Sequence, residues 1–146
     1  MRIYIDTNVI IDFLAQREPF YKDALELFTR IAEDDDLLAY TSVKSLTDVY
    51  YVIHRSTHDR NETGKLIVQL ISLLNVADNT DIDLLKSFSC KTSDFEDNLI
   101  SRLSSRMMLD YIVSRNVKDF YPSVVKAITP RECLDILDLP ELSADR

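Results

Sequence analysis

Short apolar runs alternate along this chain with longer stretches in which apolar residues recur every third or fourth position. The runs read as strands and the stretches as helices, because side chains repeat every two residues along a strand and every 3.6 along a helix. Residues 1–5 form a strand buried on both sides, and Thr7 or Asn8 caps a helix over Val9-Ile10-Ile11-Asp12-Phe13-Leu14. Phe20, Ala24, Leu25, Leu27, Phe28 and Ile31 place a second helix with Pro19 in its first turn, and the acidic run Glu33-Asp34-Asp35-Asp36 ends it. Residues 37–41 are a second strand. Ser42 or Ser45 then caps a helix carrying Leu46, Val49, Tyr50 and Ile53, with Asp48 inside it.

Residues 61–64 open another helix, with Leu66, Ile67, Leu70, Ile71 and Leu74 on its apolar side, before a brief strand at 75–77. A short helix over residues 80–88 is expected to turn Ile82, Leu84 and Leu85 inward, and Ser93 to cap a helix over 94–107. Strands follow at 110–114 and 124–128, and Thr129 with Pro130 begins a closing helix, as cap and first helical position. Short apolar strands alternating with helices specify a mostly parallel sheet covered on both faces. One domain over residues 1–139 and a tail over 140–146 account for the pattern, without repeats or linkers. In such a sheet, sites collect outside the carboxyl ends of the strands, where both Asp6 and Ser114-Arg115-Asn116 fall.

Composition removes several functions. A net charge of −8 argues against a broad basic face for nucleic acid, so chemistry on a phosphodiester would need metal cations. The single glycine, Gly64, excludes glycine-rich phosphate loops. No apolar stretch is long enough to span a membrane, and Met1-Arg2 leads straight into the first strand without a secretory leader, so a soluble cytoplasmic protein is expected. Cys90 and Cys133 have neither CxxC spacing nor a nearby His pattern and suit buried thiols. His54 and His58 lack a third His and read as an exposed pair at a helix end.

Most of the 25 acidic residues are solvated surface, so position has to discriminate among them. Asp6 stands where a buried strand passes into a helix, as an Asx-turn, a cap or a ligand. Asp94, Glu96 and Asp97 crowd one helix start, and their repulsion is relieved if Asp97 turns inward to a cation while the others stay solvated. Asp48 lies among core residues and needs a partner or a metal. Asp119 and Asn116 follow the late strand, as turn residues or oxygen donors. Oxygen ligands without His or Cys select Mg²⁺ or Mn²⁺, which activate water against phosphodiesters.

Four blocks, Asp6-Thr7-Asn8-Val9-Ile10-Ile11-Asp12, Ser45-Leu46-Thr47-Asp48-Val49-Tyr50-Tyr51, Asp94-Phe95-Glu96-Asp97 and Ser114-Arg115-Asn116-Val117-Lys118-Asp119-Phe120, resemble in order and spacing the PIN-domain family, and within it the stand-alone bacterial VapC-like toxins. The resemblance runs through nearly the whole chain. It implies a three-layer α/β/α sandwich and a Mg²⁺- or Mn²⁺-dependent endoribonuclease, the toxin of a toxin–antitoxin pair. By position, Asp6, Asp97 and Asp48 match metal ligands, and Asn8 matches the polar residue that orients the first aspartate at the substrate side. Asn116 falls where many members have a fourth aspartate, a role that Asp119 shares, and Arg115 is expected to neutralise charge on the phosphate. RNA as substrate, a homodimer and an antitoxin with a basic segment are the implied partners.

Two departures stand out. Asn116 lowers the charge of the site and leaves the metal count open. The stretch Arg106-Met107-Met108-Leu109 replaces the small residues and glycine usual before the late strand. The main rival reading is a PIN-like fold kept as an inactive RNA- or protein-binding module. Haloacid-dehalogenase chemistry would need a second aspartate where Asn8 stands, and a receiver domain would need an early acidic pair and a late lysine.

Overall fold

Ile3, Tyr4 and Ile5 have no exposed surface, because the strand they form runs through the middle of the molecule and packs on both faces. The computed structural model describes residues 1–89 and 94–140. Five strands, β1 (Arg2–Ile5), β2 (Leu38–Ser42), β3 (Asn75–Ala77), β4 (Tyr111–Val113) and β5 (Lys126–Ile128), lie in the order β3-β2-β1-β4-β5. Every pairing is parallel, with Tyr4 opposite Tyr40 on one side and Ile112 on the other. The described helices are α1 (Thr7–Leu14), α2 (Tyr21–Glu33), α3 (Val43–Thr57), α4 (Arg60–Leu73), α5 (Asp81–Ser87), α6 (Phe95–Arg106) and α7 (Pro130–Leu137), with a 3-10 turn at Val117–Phe120.

Strand alternation divides the core in two. Ile3, Ile5, Val113 and Ile128 meet α1, α2, α3, α4 and α7 on one face, where Phe13 stacks on Phe28 at 4.3 Å. Tyr4, Ile112 and Ala127 meet Leu103 of α6 and Phe120 on the other. This is the α/β/α sandwich expected, with strand order reversing about β1. The carboxyl ends of β1, β2 and β4 therefore open side by side, the position at which open α/β sheets build their sites.

Several local expectations change. Asp6 itself caps α1, accepting the Thr7 amide, in place of Thr7 or Asn8. Pro19 precedes α2 outside its first turn, because the Arg17 carbonyl gathers the Phe20 and Tyr21 amides into a turn before the helix begins. Helix α5 faces opposite to expectation: Asp83 and Ser87 are buried, while Ile82, Leu84 and Leu85 are exposed. The reason is polar. Asp83 completes a capping box with Thr80 and takes the Arg106 guanidinium at 3.0 Å, which fixes the helix by its hydrophilic side. Asp94 caps α6, and Ser93, like Cys90, lies outside the described residues.

α3 ends at Thr57, so His58 leaves the helix with φ 52 and makes no helical pair with His54, which stacks on Tyr50. Cys133 is a buried free thiol, pushed up to about 12 by burial. Among the described residues, no helix is long and apolar enough to cross a membrane.

Candidate functional site

β1 delivers Asp6 to the carboxyl edge of the sheet, and β4, its parallel neighbour, delivers Ser114 beside it. Asp6 is 8% exposed, and both carboxylate oxygens are held. Oδ1 accepts the Thr7 amide at 2.8 Å; Oδ2 accepts the Ser114 hydroxyl at 2.7 Å and the Asn8 amide at 3.3 Å. Asn8 also donates to Ser114 Oγ and accepts the Arg115 backbone N–H, while the Asn116 N–H donates to Ser114 Oγ. The two strand ends are thus sewn together by short side chains. Beneath them, the buried Tyr4 hydroxyl meets Ser42 at 3.0 Å and Ser45 at 2.8 Å, joining β1 to the start of α3.

A cavity of about 260 Å³ opens on this edge. Asp6 lines it with Asp48 of α3, Asp94, Glu96 and Asp97 at the start of α6, Asp119 of the 3-10 turn, and the amides of Asn8, Asn79 and Asn116. Asp94 Oδ1 is engaged by the Glu96 and Asp97 amides, which sets the first turn of α6 and aims its carboxylates at the cavity. Asn79 donates to the Leu99 carbonyl, and Arg106 to the Asp78 carbonyl, so the loop after β3 is tied to α6.

The electrostatics follow from six carboxylates in one cavity. Burial pushes Asp97 up to about 7, and the neighbouring Asp94, Asp6, Asp119 and Glu96 charges add to it. Asp6 is also raised by burial; its bonds from Ser114 and Thr7 oppose that, while Asp119 and Glu96 reinforce it. One cation answers part of this charge. Lys44 Nζ stands 2.5 Å from Asp48 Oδ2 and 3.0 Å from Glu96 Oε1.

The structure brings Asp6, Asn8, Asp48, Asp97, Asn116 and Asp119 into the same cavity. It does not bring Arg115. That guanidinium turns away to Asp12, Nε to Oδ2 at 2.6 Å, and lies over the Phe20 ring, because Asp12 is a 1%-exposed carboxylate on α1 that needs a counter-charge. The phosphate role expected of Arg115 would therefore require the side chain to leave Asp12. Sequence reasoning passed over Lys44, Ser42, Asn79 and the hydroxyl of Ser114. For Lys44 a signal existed, since it stands four residues before Asp48, the spacing of a helical ion pair. Asn79 carried none.

Among the described residues, no three His, Cys, Asp or Glu side chains stand as a set that could hold one metal ion. In kind, however, the donors fit a hard divalent cation: they are all oxygen, and six carboxylates share one cavity.

A family model described as PIN domain matches residues 2–118. No curated protein matches the chain in sequence. In structure the chain is similar to VapBC2 from Rickettsia felis bound to a DNA fragment from their promoter, at 17% identity over 88% of this chain and 98% of that one, with a TM-score of 0.65. It is similar to a toxin–antitoxin complex from Klebsiella pneumoniae, at 20% identity over 88% and 97% of the two chains, TM-score 0.62. A third is Mycobacterium tuberculosis VapC20, described as a sarcin-ricin loop cleaving toxin, at 13% identity over 75% and 86%, TM-score 0.60. At such identities the likeness is one of fold.

Proposed function

The chain belongs to the PIN-domain family, and we propose that it is a Mg²⁺- or Mn²⁺-dependent endoribonuclease working in the cytoplasm as the toxin half of a toxin–antitoxin pair. The observation that supports this reading best is the gathering of Asp6, Asp48, Asp97 and Asp119 in one cavity at the carboxyl edge of the sheet, with Asp97 lifted to about 7. Burial and the neighbouring carboxylates raise it, and a cation entering the cavity would oppose that shift.

Asp6 and Asp97 would hold the ion, while Asp48, the third position that the resemblance implies, is engaged by Lys44 across the cavity. When bound, the ion supplies an acidified water and charge stabilisation on a phosphodiester. Ser114 and Asn8 fix the Asp6 carboxylate, so its Oδ2 does not reorient when a cation or substrate enters. Asn116 and Asp119 form the wall of the cavity at the β4 side, where a neutral amide lets an anionic backbone approach at less electrostatic cost than a carboxylate would. The strong negative field of the cavity suits a basic antitoxin segment, and a homodimer would present two such cavities to one RNA.

A second reading, a binding module without catalysis, is favoured by Asn116 and by the Lys44 contact that occupies Asp48. Calorimetric titration of Mn²⁺ into the metal-free protein, Asp6→Asn and Asp97→Asn separates the two, followed by cleavage of a mixed RNA substrate with and without chelator. Binding and cleavage lost in both variants uphold the nuclease. A wild-type chain that binds no Mn²⁺ in the millimolar range and leaves RNA intact overturns it.

A further inference from the structure

Lys44 sits in the first turn of α3, where the helix dipole disfavours a cation. Its placement therefore reflects the carboxylates around it. An i,i+4 contact with Asp48 alone would be an ordinary, weak surface pair. Here the same ammonium reaches Glu96 as well, on a helix from the opposite face of the sheet, and so bridges the cavity from α3 to α6.

We infer, resting on the nuclease reading above, that Lys44 is a tethered cation occupying the Asp48–Glu96 end of the cavity, so that the chain takes a single divalent ion at the Asp6–Asp97 end. One further observation agrees. At the β4 side the wall carries the neutral Asn116, which lowers the charge available to a second ion. A lysine differs from a second metal in function: it is permanently present, needs no loading, and offers a point charge to an entering phosphate without demanding octahedral ligands.

The test is calorimetric titration of Mn²⁺ into the metal-free wild type, Lys44→Met and Lys44→Arg. The wild type is expected to take one ion per chain. Lys44→Met should take a second ion, or hold the first about fivefold more tightly, the order expected on removing one unit charge from a wet site. Lys44→Arg should restore wild-type behaviour. Lys44→Met matching the wild type in both stoichiometry and affinity overturns the inference while leaving the nuclease reading intact, as does a wild type that takes two ions. Binding by Lys44→Met alone upholds the role of the lysine and overturns metal dependence of the native chain. No binding by any of the three overturns both.

Discussion

Ser114 Oγ donates to Asp6 Oδ2 at 2.7 Å, joining two strand ends that are 108 positions apart in the chain. The hydroxyl also receives the Asn116 N–H and the Asn8 amide, so one small side chain orders both the β1 and the β4 corner. It has no exposed surface and touches no reacting group, which makes it a positioning residue. Ser114→Ala should weaken Mn²⁺ binding and RNA cleavage together, each by about tenfold, as loss of outer-shell partners does at metal sites. Its cost to folding should be only about 1 kcal/mol, read from urea melts of the same preparation.

Asp97 makes the metal-free protein sensitive to pH. Its carboxyl is raised from 3.8 to about 7, so between these values the folded chain holds a proton that the unfolded chain has lost. Folded-state stability consequently falls as pH rises through that window, and the penalty is complete above it. Asp97→Asn should therefore stabilise the chelator-treated protein at pH 8 by about 1 kcal/mol, a figure reduced for solvent screening of a half-exposed group. At pH 3.5 the two proteins should melt alike. Thermal melts across pH 3.5–8 check both arms.

Met108 adopts φ 52, in the left-handed region, and is exposed. This is the place before the late strand at which the resemblance calls for small residues and a glycine. Here a methionine takes a backbone conformation that glycine adopts at less cost. Met108→Gly should raise stability by about 1 kcal/mol through relief of that conformation, measured by urea unfolding, with no change in metal binding.

How far the chain could be read in advance depended on whether one residue's neighbours decide its place. Ile3 and Ile5 show one face and Tyr4 the other, and the run is apolar on both, so a central parallel strand was legible from five residues. The clustering of Asp6, Asp48, Asp97 and Asp119 needed both the strand-end rule and the four ordered blocks, because nothing local in Thr47-Asp48-Val49 reveals which helix end faces the sheet edge. Helix α5 was misread for a related reason. Its orientation is decided by Arg106, on another helix, which draws Asp83 inward against the hydrophobic pattern of Ile82 and Leu85. Distant ion pairs have no signature in periodicity.

That inversion can be checked directly. Leu85→Ser and Ile82→Ser should each change stability by under about 0.5 kcal/mol, since both side chains are exposed. Asp83→Ala should cost about 2–3 kcal/mol, because it removes the capping-box acceptor and leaves the Arg106 guanidinium without its buried partner. Equal losses in all three would return α5 to the inward orientation that its sequence suggests.

Arg115 and Asp12 set a last prediction, because two roles for the arginine give opposite results. Asp12 is almost wholly buried, with its carboxyl raised by burial and lowered by the Arg115 guanidinium beside it. Removing the arginine strands that charge, so Arg115→Met should destabilise by about 3 kcal/mol, and Asp12→Asn by less, since a neutral amide is cheaper to bury. The double variant should recover part of the loss in a double-mutant cycle. For function, the ion pair anchors the corner whose Arg115 N–H is received by Asn8, the residue that orients Asp6. Asp12→Asn should accordingly lower RNA cleavage along with Arg115→Met. Were the arginine instead a phosphate contact, Asp12→Asn would free it and leave cleavage unchanged or faster, and single-turnover rates of the two variants at saturating RNA distinguish these outcomes.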